Sequence, residues 1–287
     1  MKGADVEDID WDAVRRRLYY GNRRQSSQND WDKRAGSFKD RTRDRSYINQ
    51  FISLMKPQKN WRVLDVGSGP GTLALPLAAL VSQVTALDFS EKMLSVLRDH
   101  ATEDNITNIN TLQLAWEDNW EQDIISHSVA IASRSLNLPF LRAALEKLSR
   151  YALTWVFITD RVGTGPHDPG AFAALGRTLP SGPDYTYTLK ILQQMGYHPS
   201  TDFIKDDPER LFPSLEEAYR SFCWMFPSMT GEEEKKLRDH VRSICRLHPD
   251  GSVAMQREHP TTWAFIRWRP SLSMNIRRPC NNNRNDL

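Results

Sequence analysis

Three glycines at alternate positions, Gly67, Gly69 and Gly71, follow an apolar run and are accompanied by two acids, Asp65 and Asp88. Glycine removes the side chain where the backbone must turn tightly and lets a ligand touch the main chain. Helical spacing in the apolar run after Gly71 predicts a helix there, whose first N–H groups would face the turn and suit a phosphate or carboxylate. The interval Gly-x-Gly-x-Gly is not the G-x-G-x-x-G of dinucleotide folds, in which the third glycine stands one place later. Asp88 closes a second apolar run roughly 20 residues after Gly67, the interval at which a carboxylate accepts both hydroxyl protons of a ribose. A helix N-cap is the competing role for Asp88, but Ser90, with Glu91 and Met93 behind it, fits that role already. A nucleotide-like ligand at residues 63–72 is the reading these residues support.

Two further groups of residues could do chemistry. Ser133 and Arg134 end a later apolar run, and an arginine there could hold a carboxylate through two parallel bonds or pair with Asp123 or Glu146. His167 and Asp168 lie in a Gly- and Pro-rich stretch, 163–170, that reads as a shaped turn. They are the weak candidates for a general base, and a loop histidine is more often merely exposed.

The elements that must position these residues alternate. An amphipathic helix over 46–55 ends at Pro57 and leads into a strand at 62–66. Strands follow at 83–88, 110–115, 128–133 and 153–160, with helices over 92–100, 140–151 and 185–195 and a further strand at 202–204. Alternation of this kind means a doubly wound, mostly parallel α/β sheet. Two helices, 215–226 and 232–247, then form a helical insertion within 211–248 before a last strand at 262–268. Residues 1–57 read as an N-terminal helical lid and 58–269 as the core. The tail 270–287, with three consecutive asparagines, reads as disordered.

With 287 residues and 39% hydrophobic content the chain can bury a full core. Its 38 Lys and Arg against 36 Asp and Glu give no global reason to expect nucleic acid or an anionic membrane. The basic bias is local: 11 Lys and Arg against 4 acids between Arg15 and Arg45. That stretch reads as a solvated helix face plus loop, or as a patch for RNA or an acidic substrate. Cys223, Cys245 and Cys280 are too far apart for a zinc or disulfide framework, and no metal site is expected. With no signal peptide or long apolar span, a cytoplasmic protein is expected.

The run Leu64-Asp65-Val66-Gly67-Ser68-Gly69-Pro70-Gly71, followed by the strand that ends at Asp88, resembles the class I S-adenosylmethionine-dependent methyltransferases. The resemblance covers residues 31–204 and is motif-specific at 63–72 and 83–90. It implies a Rossmann-like sheet of seven strands, the last one antiparallel, and S-adenosylmethionine as cofactor. It also implies cofactor contacts at Asp65, Gly67, Ser68, Gly69, Gly71, Asp88, Phe89, Met93, Trp116, Glu117, Ser133 and Arg134. The acid that such enzymes carry directly after the third strand is displaced here, which leaves Glu117 or Asp118 for that role. Residues 29–38 resemble the family's lid helix, with Phe38 where a tyrosine is frequent and Trp31 available for packing. No Asn-Pro-Pro-Tyr run follows the fourth strand, which argues against nucleobase N-methylation and for a small-molecule acceptor. RNA or protein as acceptor, and a cofactor-binding protein without transferase activity, are the alternatives.

Overall fold

The computed structural model describes residues 9–21, 45–180, 182–206 and 209–270. Arg23, Arg24, Trp31, Phe38, Cys280 and the tail after 270 lie outside the described residues.

The chain opens with α1 (Trp11–Gly21) and resumes with α2 (Arg45–Met55), which buries Tyr47, Ile48, Phe51 and Met55 on one face. There follow β1 (Arg62–Val66), α3 (Ala74–Ala78), β2 (Gln83–Asp88), α4 (Glu91–Glu103), β3 (Ile109–Gln113), β4 (His127–Ser133), α5 (Leu141–Tyr151) and β5 (Ala152–Arg161). Next come α6 (Pro169–Leu175), α7 (Tyr185–Gln194), β6 (Ser200–Lys205), β7 (Glu209–Phe212), α8 (Leu215–Cys223), α9 (Gly231–Ser243), β8 (Cys245–Leu247), β9 (Val253–Gln256) and β10 (Thr262–Trp268).

Seven strands form one sheet in the order β3-β2-β1-β4-β5-β10-β6, parallel throughout except for β10, which runs antiparallel to both β5 and β6. Both faces are covered, which explains the unbroken apolar runs in β1, β2 and β4. On one face Leu64, Ala130, Ile158 and Ile266 pack with Leu145 and Leu148 of α5 and Ile191 and Leu192 of α7. On the other, Val63, Val129, Phe157 and Phe265 pack with Tyr47 and Phe51 of α2 and Leu77 of α3. The strand order reverses between β1 and β4, so the carboxyl ends of these two strands flank the crevice in which such sheets bind ligands.

Three features differ from the sequence-based expectation. The helix after Gly71 spans five residues only, with Pro76 inside it, too short to offer an anion a helix terminus. The insertion holds the two expected helices and, in addition, the antiparallel sheet β7-β9-β8. The last residues expected in its second helix, 245–247, are strand β8 instead. With α6, α8 and α9 this sheet encloses its own core of Phe172, Phe212, Phe222, Phe226, Leu237 and Val253. Among the described residues no helix is long and apolar enough to cross a membrane, no cluster of His, Cys, Asp and Glu has metal-binding geometry, and Cys223 and Cys245 are free thiols.

Candidate active site

The glycine turn is tied to β2. The N–H groups of Gly67 and Ser68 both donate to the carbonyl of Leu87, at 2.8 and 2.9 Å. Gly67 has φ +71°, and a Cβ there would lie 2.4 Å from Cβ of Ser135, so both conformation and space require glycine. Ser135 in turn donates its Oγ–H to the carbonyl of Val66 at 2.9 Å, fastening the loop after β4 onto the end of β1. Gly69 has φ +55° and faces open space, as a position meant for close approach would.

Asp88 is buried at the end of β2, where its Oδ2 accepts from Gly69 N–H at 2.8 Å and its Oδ1 from Ser90 N–H at 2.9 Å. Ser90 caps α4 by accepting from Met93 N–H, the division of labour that the sequence suggested. Asp65 is buried beneath the same turn. Burial, and then the charge of Asp88, push its carboxyl up to about 7. Asp65 Oδ2 and the neighbouring Ser68 Oγ are buried without a hydrogen-bond partner among the described residues. Buried polar atoms are nearly always paired, so two orphans beside three left-handed glycines mark a place built for something polar.

The remaining expected contacts divide. Phe89 is half-buried on the loop beside Asp88, whereas Met93 is 3% exposed and belongs to the core. Trp116 lies half-buried with its ring 5.8 Å from that of Trp120, and Glu117 is exposed. Asp118 Oδ2 accepts from Ala115 N–H at 2.7 Å and so serves its own turn. At the end of β4, Ser133 Oγ lies 2.6 Å from the Tyr47 hydroxyl, which lies 2.8 Å from Thr159 Oγ1 of β5. Thr159 also accepts from Arg134 N–H at 3.0 Å. The Arg134 guanidinium stacks 4.2 Å above the Tyr47 ring, and neither Asp123 nor Glu146 pairs with it. Burial raises the Tyr47 phenol above its ordinary range, against the opposing charge of Arg134. Tyr47 reads in the sequence as one more apolar position of an amphipathic helix. Only its pairing with Ser133 and Thr159 reveals the link.

His167 and Asp168 are not brought to this site as a base. Asp168 Oδ1 accepts from Ala171 N–H at 2.9 Å as the N-cap of α6, and the carboxylate lies 3.5 Å from His240 Nε2 and 3.7 Å from Arg257 Nε. Burial works to raise its pKa, but His240, the Ala171 N–H and Arg257 outweigh it and hold the carboxyl below its ordinary value. A carboxylate so engaged is a poor proton acceptor. His167 donates Nδ1–H to the Thr164 carbonyl at 3.2 Å, and its ring packs on Phe172 and Trp224.

The arginine run near the N-terminus also has a different task. Arg15 is 3% exposed and donates to the carbonyls of Leu136 and Leu138. Tyr19 donates to the Asn137 carbonyl at 3.2 Å, and Asp12 Oδ1 accepts from Arg142 N–H at 3.1 Å in the first turn of α5. Helix α1 therefore holds the loop that follows Arg134. A charge run in sequence does not show which of its members is turned inward.

Comparison with known proteins agrees with this geometry. Residues 63–153, which span the turn and Asp88, match the family described as a methyltransferase domain. An uncharacterised protein of Haemophilus influenzae is 35% identical over 240 residues, covering 83% of this chain and 88% of its own length. A ubiquinone biosynthesis O-methyltransferase of Paramagnetospirillum magneticum is 43% identical over 54 residues, 19% of this chain and 22% of that one. The YcgJ protein of Bacillus subtilis shares the fold, with a TM-score of 0.52 at 16% identity over 78% of this chain and 97% of that one. The matched domain, the seven-stranded sheet with its antiparallel β10 and the turn that opens onto Asp88 lead to one assignment: residues 63–153 form a methyltransferase domain, and the chain has the Rossmann-like fold of class I methyltransferases.

Proposed function

We propose that this chain binds S-adenosylmethionine at the glycine turn and moves its methyl group onto a small-molecule acceptor. The observation that carries the reading is the Asp88 carboxylate, fixed by Gly69 and Ser90 N–H groups beside the two orphaned polar atoms, Asp65 Oδ2 and Ser68 Oγ. In this reading Asp88 takes the ribose hydroxyls, while the backbone of Gly67, Ser68, Gly69 and Gly71 lies against the ligand. Asp65, whose carboxyl keeps its proton up to about 7, offers a hydrogen-bonding group under the turn. Phe89, Trp116 and Glu117 line the side toward β3, and Ser133 stands at the transfer end.

The cofactor supplies a sulfonium methyl group that is open to direct displacement. The protein's part is to hold the two reactants in line and keep water out, which demands no fixed catalytic residue. Of the basic stretch, Arg15, Arg16, Arg17 and Arg45 lie within the described residues, and the engagement of the first two within the chain supports a small acceptor over RNA. Arg15 is committed to backbone carbonyls, and Arg16 pairs with Asp12 at 3.0 Å. A cytoplasmic setting belongs to the same reading, supported by the two free thiols.

Calorimetry with S-adenosylhomocysteine tests the cofactor site. Wild type is expected to bind at micromolar concentration and Asp88→Ala at least tenfold more weakly, since a lost charged hydrogen bond costs roughly 1.5–3 kcal/mol. No binding by the wild type would overturn the cofactor reading.

A further inference from the structure

Arg134 adds to that reading a statement about the acceptor. Its backbone is left-handed, at φ +57°, a conformation that a non-glycine residue adopts at a cost and that clusters at functional positions. Its side chain is exposed, and no aspartate or glutamate among the described residues forms an ion pair with it. What holds it is aromatic. The guanidinium carbon lies 4.2 Å from the centre of the Tyr47 ring and 6.0 Å from that of Trp263. A contact with aromatic rings uses none of the guanidinium's N–H donors, and their planar fork matches a carboxylate through two parallel bonds.

The direction of the side chain separates two sources of such a group. The glycine turn belongs to β1, on one side of β4, whereas Trp263 belongs to β10, two strands away on the other side. The Tyr47 hydroxyl sits between Ser133 of β4 and Thr159 of β5, so the guanidinium over its ring, with Trp263 beyond, lies on the β5 side of β4. A cofactor seated on the turn occupies the β1 side. The group at Arg134 belongs to whatever lies over β5 and β10.

We propose that Arg134, held over the Tyr47 ring with Trp263 nearby, binds a carboxylate of the methyl acceptor, so that the substrates of this enzyme are small organic acids. The proposal rests on the cofactor reading, and one set of measurements separates the two. Wild type and Arg134→Gln are titrated with S-adenosylhomocysteine and with methylthioadenosine, which lacks the amino-acid portion. Both are then supplied with methyl-labelled S-adenosylmethionine and a small-molecule extract divided by anion exchange.

The expected result is equal affinity of both proteins for S-adenosylhomocysteine, label entering the anionic fraction with wild type, and at least tenfold less label there with Arg134→Gln. Loss of S-adenosylhomocysteine affinity with methylthioadenosine binding intact would assign the carboxylate to the cofactor and overturn the acceptor assignment. Label confined to uncharged fractions, absent from the anionic one, or equal for the two proteins would overturn it as well. Wild type that binds no S-adenosylhomocysteine would bring down the cofactor reading itself.

Discussion

The two ends of the seven-stranded sheet are built from similar residues to opposite purposes. At the carboxyl end the chain bends through left-handed conformations at Gly67, Gly69, Gly71 and Arg134, and Asp65 Oδ2 and Ser68 Oγ are buried without partners. At the amino end the polar groups answer one another. His127 donates Nδ1–H to the Ile125 carbonyl at 2.7 Å and accepts at Nε2 from Thr85 Oγ1 at 2.8 Å, since a carbonyl can only accept. Asn108 donates to the Ala78 carbonyl at 2.8 Å, and Ser82 donates both N–H and Oγ–H to that of Trp61. A ligand would supply the missing partners at one end. Among the described residues no buried side-chain nitrogen or oxygen at the other end lacks a partner. Unmet polarity marks the functional edge, rather than the presence of polar residues or backbone strain, which Lys56 and Asn105 also carry ahead of β1 and β3.

The largest effect is expected at the turn. In Gly67→Ala the new methyl group would stand 2.4 Å from Ser135 Cβ in a left-handed backbone. The conformation costs roughly 1–2 kcal/mol and the overpacking roughly 1–3 kcal/mol. Denaturant unfolding should show a loss of about 3 kcal/mol, together with loss of S-adenosylhomocysteine binding. A variant as stable as wild type would mean that the loop carrying Ser135 yields easily, and the contrast between the ends would weaken.

The two ends should also titrate in opposite directions. Asp65 keeps its proton up to about 7 in the folded state, well above an unfolded aspartate near 3.9, so the folded state holds more protons and stability falls as pH rises from about 4 to 7. Burial lowers His127 to about 4, below an unfolded histidine near 6.5. Its contribution is complete above pH 6.5 and is lost as pH falls toward 4. The windows overlap, and each pKa unit is worth about 1.4 kcal/mol, so wild type should show a flatter profile than either variant. Asp65→Asn leaves the histidine's slope, with stability rising with pH. His127→Phe leaves the aspartate's slope, falling with pH. Parallel profiles for the two variants would refute the opposition.

His127→Phe has a second cost, independent of pH. It leaves the buried Thr85 hydroxyl without its His127 partner, whereas the carbonyl of the exposed Ile125 can turn to water. A buried group left so costs roughly 1–3 kcal/mol, so a loss of about 2 kcal/mol at pH 8 is expected, with S-adenosylhomocysteine affinity unchanged.

How far the sequence discloses this molecule follows from the range of its signals. The seven strands and the helices over them are long, periodic and consecutive, and the interval from Gly67 to Asp88 is local to one strand-helix-strand unit, so these are readable in one dimension. Strands β7, β8 and β9, of three or four residues each, are too short to show a period of two. The inward turn of Arg15 depends on carbonyls more than a hundred residues away, and the tie from Tyr47 on a Thr159 hydroxyl as distant in the chain. Asp168 reads as a loop acid until His240 and Arg257 are folded against it. Loop chemistry at the carboxyl edge is therefore the least legible part of the chain, although function depends on it most.

Ser82→Ala is the smallest test and the cleanest for the passive end. The substitution removes the 2.7 Å bond from Ser82 Oγ to the Trp61 carbonyl, but that carbonyl keeps the Ser82 N–H at 3.0 Å. No buried acceptor is orphaned, so only the net worth of one hydrogen bond is lost, about 0.5–1 kcal/mol. Ser82 directly precedes β2 while Asp88 closes it, and a paired strand lies between them. Thermal unfolding should register the small loss and calorimetry with S-adenosylhomocysteine none. An affinity that moved with Ser82 would show that the amino end tunes the site through β2, and the division of the sheet into a binding edge and a supporting edge would have to be given up.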